Sequence, residues 1–206
     1  PEPRAMVKQD PDNNPDQQNA NTASAPVIGV SIGDINGINF ELILKTFSDE
    51  RVLNYCTPVI YASTRVANYH KKTLGFNDFH LNIIKSAGKA SAQKVNLINV
   101  WDEEPRVQLG YIKEEAGGYA IKSLDRVVQD LQNGLLDGMV TAPLSKHTVD
   151  ASEGRFSGHT EYLQRQFNTP DTLMLMNHEQ LKVGVVTTHL PLNEVTDNVT
   201  HEGIVR

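Results

Sequence analysis

Short apolar runs alternate with amphipathic stretches from Pro26 to the end of the chain. Residues 27–32 (VIGVSI) carry no charge and predict a buried strand, followed by a Gly-containing turn. Residues 38–47 (INFELILKTF) predict a helix, 58–62 a second strand, and 64–74 (TRVANYHKKTL) a second helix closed by Gly75. Weaker strand patterns cover 80–84 and 95–100. In 119–132, Ile121, Leu124, Val128 and Leu131 recur at spacings of three and four, an amphipathic helix that Asn133-Gly134 would cap. A strand over 138–142 follows, with Pro143 starting a short helix. The runs 173–176 and 183–188 predict two further buried strands. Strand-helix alternation of this kind implies an α/β sandwich on a largely parallel or mixed sheet.

The two ends depart from this pattern. Residues 1–25 are Pro, Asp, Asn and Gln with almost nothing to bury, so a disordered tail is expected there, ahead of an α/β region over 26–206. At the other end, Thr200 is placed to N-cap a helix with Glu202 in its first turn. Only one turn of it is present, too little to support itself, which points to a fold longer than these 206 residues.

Composition narrows the partners. The chain is 39% hydrophobic and has 19 basic against 25 acidic residues, a net charge of -6. Nucleic acid and anionic membrane surfaces reward clustered Lys and Arg, so neither is expected as a partner. A small anion is not excluded, because a few local donors suffice to hold it. One cysteine, Cys56, rules out an intrachain disulfide and a thiolate metal cluster. No signal-peptide pattern and no apolar run of membrane-spanning length is present, so the cytoplasm is the expected compartment.

Four segments could carry chemistry. The turn Gly33-Asp34-Ile35-Asn36-Gly37-Ile38 joins the first strand to the first helix, but its spacing is wrong for a dinucleotide loop and no Walker lysine follows. A plain tight turn is the simpler reading. Thr141-Ala142-Pro143-Leu144-Ser145-Lys146-His147 lies at the carboxyl end of a strand, where open α/β sheets bind ligands, and Lys146 could meet an anion there. A solvated lysine fits equally well. Phe156-Ser157-Gly158-His159-Thr160-Glu161 sets an imidazole, a hydroxyl and free N–H groups at one helix start; the alternative is a helix start with His159 in solvent. In Val185-Val186-Thr187-Thr188-His189-Leu190-Pro191-Leu192, a histidine ends an apolar strand and is either a metal ligand or a structural residue. His70, His80, His178 and His201 are expected in solvent.

In this order the four segments resemble the 4-hydroxythreonine-4-phosphate dehydrogenases of pyridoxal phosphate biosynthesis, from about residue 27 to the end of the chain. Gly158-His159-Thr160-Glu161 and Thr187-Thr188-His189-Leu190-Pro191-Leu192 are the specific parts of the match. The resemblance implies a three-layer αβα fold like that of isocitrate and isopropylmalate dehydrogenases. It also implies a homodimer with its active site at the subunit interface. His159 and Thr160 would contact a small phosphorylated substrate. His189 would be the first of three histidines on a divalent cation (zinc, magnesium, manganese or cobalt), the other two lying beyond Arg206 with most of the NAD site. The first turn departs from the family's Gly-Asp-Pro-Ala-Gly-Ile-Gly-Pro-Glu pattern: Ile35-Asn36 follows Asp34, and Asn39-Phe40 stands before Glu41.

The activity so implied is NAD- and metal-dependent oxidation, with decarboxylation, of 4-phosphohydroxy-L-threonine. A related dehydrogenase of phosphorylated threonate or erythronate, a noncatalytic phosphate-binding α/β module, and an acyl- or phosphotransferase of similar architecture are the alternatives.

Overall fold

The computed structural model describes residues 25–153 and 158–205. The expected tail over 1–25, apart from Ala25, lies outside them, as do Phe156 and Ser157. Five strands form one parallel sheet: β1 (Val27–Ser31), β2 (Thr57–Ala62), β3 (Asn82–Ile84), β4 (Asn96–Asn99) and β5 (Gly138–Thr141), in the order β3-β4-β2-β1-β5. The register pairs Val30 with Ile60 on one side and with Val140 on the other. A parallel sheet is covered on both faces, which is why β2 is buried along its whole length.

Helices cover the two faces separately. Val30, Ile60, Ala62 and Leu97 point to one side, where α1 (Asn39–Phe47) brings Phe40, Ile43 and Leu44 and α2 (Thr64–Thr73) brings Val66 and Ala67. Val59, Tyr61 and Ile98 point to the other, against Val127 of α3 (Glu114–Gln132). The result is the expected three-layer αβα arrangement.

Helix α3 starts five residues before its apolar period becomes readable, since Gly117-Gly118 interrupt the pattern while Glu114 and Glu115 suit a first turn. Its seat on the sheet is polar as well as apolar. The Ser123 hydroxyl donates to Tyr61 O (2.6 Å) and accepts from Ile32 N–H (3.0 Å), fastening α3 across two strand ends. Lower down, Tyr61 Oη donates to Asp130 (2.8 Å), and Arg126 Nε donates to the other carboxylate oxygen (3.2 Å). Burial first, then the Asp130 carboxylate, push the Tyr61 phenol above its usual range.

The next helix, α4 (Lys146–Glu153), crosses α3 at Gly117. A Cβ at that position would stand 2.1 Å from Thr148 O, so only glycine allows this approach. Pro143 was the expected start of α4. The helix begins three residues later because Ser145, not Pro143, receives its first N–H groups: Thr148 N–H reaches the Ser145 hydroxyl (3.5 Å) and Val149 N–H its carbonyl (3.1 Å).

Two expectations need correction. The runs 173–176 and 183–188 were expected as buried strands. They appear as β6 (Met174–His178) and β7 (Leu181–Val185), an antiparallel hairpin apart from the main sheet. Met174, Met176, Leu181 and Val183 are exposed, because the pairing puts them on one hairpin face that no described element covers. The second correction is His70, expected in solvent and found 1% exposed. It lies on the inner face of α2, its ring stacked on Phe40 (5.0 Å) and Nε2 2.9 Å from Ile35 O. The remaining helices are α5 (His159–Gln166), α6 (Leu192–Asn198) and α7 (His201–Val205), the last capped by Thr200 Oγ1 as expected (3.1 Å from Gly203 N).

Two outcomes follow from these buried polar groups. Tyr61→Phe leaves an Asp130 oxygen without its donor and costs about 1–3 kcal/mol of unfolding free energy, read from denaturant titration. Desolvation holds the His70 imidazole below its ordinary value, so the unfolded chain takes the proton more readily. The stabilising contribution is complete above that ordinary value and is lost as pH falls through the lowered one. Thermal melts from about neutral to about pH 5 therefore show a falling Tm, with a shallower fall in His70→Gln.

Candidate functional site

The β1 and β5 exits lie side by side, and the connections leaving the sheet there run to opposite faces: α1 follows β1 on one, and α4, packed on α3, follows β5 on the other. Ligands bind at such a switch point, beyond the carboxyl ends of the strands.

The β1 exit is the turn that opens at Gly33. Its chemistry is spent on itself. The Asp34 carboxylate accepts from Asn36 N–H (2.8 Å), and Asp34 O accepts from Gly37 N–H (3.2 Å) and from Asn39 Nδ2 (3.0 Å). Gly33 sits at φ +60, where an added Cβ would stand 2.0 Å from Pro143 O. Asp34 N–H donates to that same carbonyl (3.4 Å). The plain reading of a tight turn therefore holds. It buttresses the β5 exit and does not line the cavity beyond it.

That cavity, about 530 Å³, is lined by Pro143 and Leu144 from the β5 exit, Lys146 at the start of α4, Gly158 to Glu161 at the start of α5, and His189. The candidate residues from three separated segments, Lys146, His159, Thr160 and His189, thus share one opening. Two larger clefts, about 700 and 940 Å³, lie elsewhere on the surface. Neither combines strand-end loops with a helix start and a pair of histidines, so the chemistry points to the smaller one.

Each wall has a local cause. Helix α5 is anchored by Tyr162, one turn beyond His159, whose hydroxyl donates to Asp125 of α3. His159 is half-buried at the head of this helix, and desolvation holds its imidazole below the ordinary histidine value. Thr160 is exposed beside it. The Glu161 carboxylate lies back over Gly158, 2.8 Å from where a Cβ would stand.

His189 was expected at the end of a buried strand. It stands four residues past Val185, in the loop before α6, exposed and at φ +56. Histidine is among the residues that tolerate this region, yet it still costs on the order of 1 kcal/mol, a strain found most often at functional sites. Among the described residues no group of three His, Cys, Asp or Glu side chains is gathered to hold a metal ion. His80, His147, His178 and His201 are exposed. Cys56 is half-buried, and desolvation raises its thiol pKa, so it is not activated. Sequence reasoning missed Asp125 and Gly117. Of these only Gly117, a glycine within a helical period, left any mark in the sequence.

Comparison with known proteins bears on the family and the fold. The family profile described as pyridoxal phosphate biosynthetic protein PdxA matches residues 54–206. A protein of Bacteroides thetaiotaomicron named 4-hydroxythreonine-4-phosphate dehydrogenase is 40% identical over 176 residues, 85% of this chain and 48% of that protein. A Clostridium botulinum protein provisionally named D-threonate 4-phosphate dehydrogenase is 29% identical over 87% of this chain and 54% of its own length. The crystal structure of a 4-hydroxythreonine-4-phosphate dehydrogenase from Burkholderia phymatum superposes with a TM-score of 0.79 at 25% identity, covering 87% of this chain and 55% of that one. The chain spans about half the length of the relatives it matches. With a family profile covering most of its length and the matching fold, the chain belongs to the PdxA family.

Proposed function

We propose that this chain carries the substrate-anchoring part of a dehydrogenase that oxidises 4-phosphohydroxy-L-threonine, with NAD and a divalent cation, in pyridoxal phosphate biosynthesis. The observation that carries the reading is the shared cavity of Lys146, His159, Thr160 and His189. The names of the relatives support the reaction class. The Clostridium botulinum relative supports D-threonate 4-phosphate as the competing substrate. Both substrates end in a phosphate, so the same anchor serves either. The homodimer with an interface active site belongs to the same proposal. So does the cytoplasm, which a chain with one cysteine suits; among the described residues no helix is long and apolar enough to cross a membrane.

In this reading His159 and Thr160 donate to the phosphate oxygens, joined by N–H groups of the first turn of α5, while the Lys146 ammonium supplies charge. Anchoring the phosphate fixes the distance from it to the carbon that is oxidised. Binding energy far from the reaction is thereby turned into alignment. His159 is the more selective anchor because its side chain is partly withdrawn from water, and hydrogen bonds are stronger in such surroundings.

His189 is the donor offered to a cation, and its loop holds the imidazole at the cavity wall. A catalytic metal takes three or more protein ligands, and the described residues do not gather them around His189. The described residues alone therefore do not complete a metal site.

Calorimetry with inorganic phosphate and with 4-phosphohydroxy-L-threonine tests the anchor. His159→Ala removes one charge-assisted hydrogen bond, about 2 kcal/mol, so Kd rises roughly thirtyfold for both ligands. An unchanged Kd removes His159 from the site. For the whole protein, His189→Ala lowers the rate of NADH formation by about a hundredfold or more, read with saturating NAD and cation. Undiminished NADH formation would sink the metal role of His189, whereas no NADH formation by the unmutated whole protein would leave a transferase or a binding module. Comparison of kcat/KM for the two phosphorylated substrates separates the dehydrogenase readings.

A further inference from the structure

Behind the Gly33–Gly37 turn lies a second, smaller cavity of about 170 Å³, away from the phosphate anchor. Its walls are largely apolar, from Ile38, Leu74 and Leu109, with His70, Asn36 and Glu41 as the polar groups. Two of these three are already committed. The Asn36 side chain accepts from Gln108 N–H (2.8 Å), and the Glu41 carboxylate is paired with Lys45 (2.5 Å).

His70 differs. Nε2 lies 2.9 Å from Ile35 O, and a carbonyl oxygen only accepts, so Nε2 carries the proton. In the neutral ring Nδ1 is then a lone-pair acceptor. Nδ1 has no hydrogen-bond partner among the described residues, yet it is not one of the fully enclosed nitrogens that lack one. The side chain is 1% exposed and borders this cavity, and Nδ1 is the one ring nitrogen left with a lone pair to offer a guest there.

We propose that this cavity binds a small neutral molecule with an apolar ring or short chain and one O–H or N–H group, which donates to Nδ1 of His70. The size is right: an apolar cavity of ~150 Å³ accommodates a benzene-sized guest. Water alone would satisfy Nδ1 and leave the apolar wall wet, so the apolar body of the guest supplies the preference.

The probe is phenol, with anisole, which has the same ring but no donor, as control. Phenol is expected to shift the backbone amide resonances of Gly37 and Gly110 saturably, with a Kd on the order of 1 mM. Anisole should bind about tenfold more weakly or worse, the loss expected for one hydrogen bond. His70→Gln keeps an amide N–H for Ile35 O but carries its acceptor, Oε1, away from the Nδ1 position, so its preference for phenol over anisole falls. The Nδ1 resonance in the unmutated protein moves with phenol and not with anisole, a readout independent of how the variant folds. Absence of saturable shifts with phenol, equal affinity for the two probes, or an unmoved Nδ1 resonance would each overturn the proposal.

Discussion

Everything in the candidate site hangs on how α3 sits on the sheet. Its Ser123 hydroxyl reaches backbone groups of both β1 and β2 at their exits, and Asp130 receives the Tyr61 phenol further along. The same helix supports the two elements that build the cavity. α4 lies on it backbone to side-chain-free backbone at Gly117, bringing Lys146, and α5 is tied to it by Tyr162 and Asp125, bringing His159 and Thr160. Geometry at the lysine and His159 side of the cavity is thus set by contacts outside the cavity itself.

Local order was readable from the chain; its long-range consequences were less so. The strands and helices of 27–142 follow from runs and periods that a few neighbouring residues define. Burial of single polar residues does not. Nothing around His70 in TRVANYHKKTL distinguishes an inward from an outward histidine except helical phase, and two lysines follow it. Phase alone places His70 with Val66 and Ala67, the face that packs on Phe40. The apolar strands of the hairpin misled in the opposite direction, because apolar character records what a face is suited to touch and not whether it is touched within these residues.

For the candidate site, the motifs named residues that line one cavity, and local pattern alone does not show that they meet. Lys146, His159 and His189 are separated by 13 and 30 positions, and only the β1–β5 switch point explains why their segments converge. Asp125 left no trace as a support, since its partner is 37 residues away and carboxylates on a helix surface are common. Glu161 shows the reverse problem: its motif was legible, but not that its carboxylate lies back over Gly158.

The missing Cβ at Gly117 has a wider consequence. Where backbone meets backbone without a side chain between, two helices cannot slide by small rotamer changes, and they loosen together or not at all. The lysine end of the cavity therefore belongs to the same cooperative unit as the sheet, while the loop of His189, set beyond an uncovered hairpin, does not. One wall is masonry and the other is hung, so the cavity adjusts its width from one side.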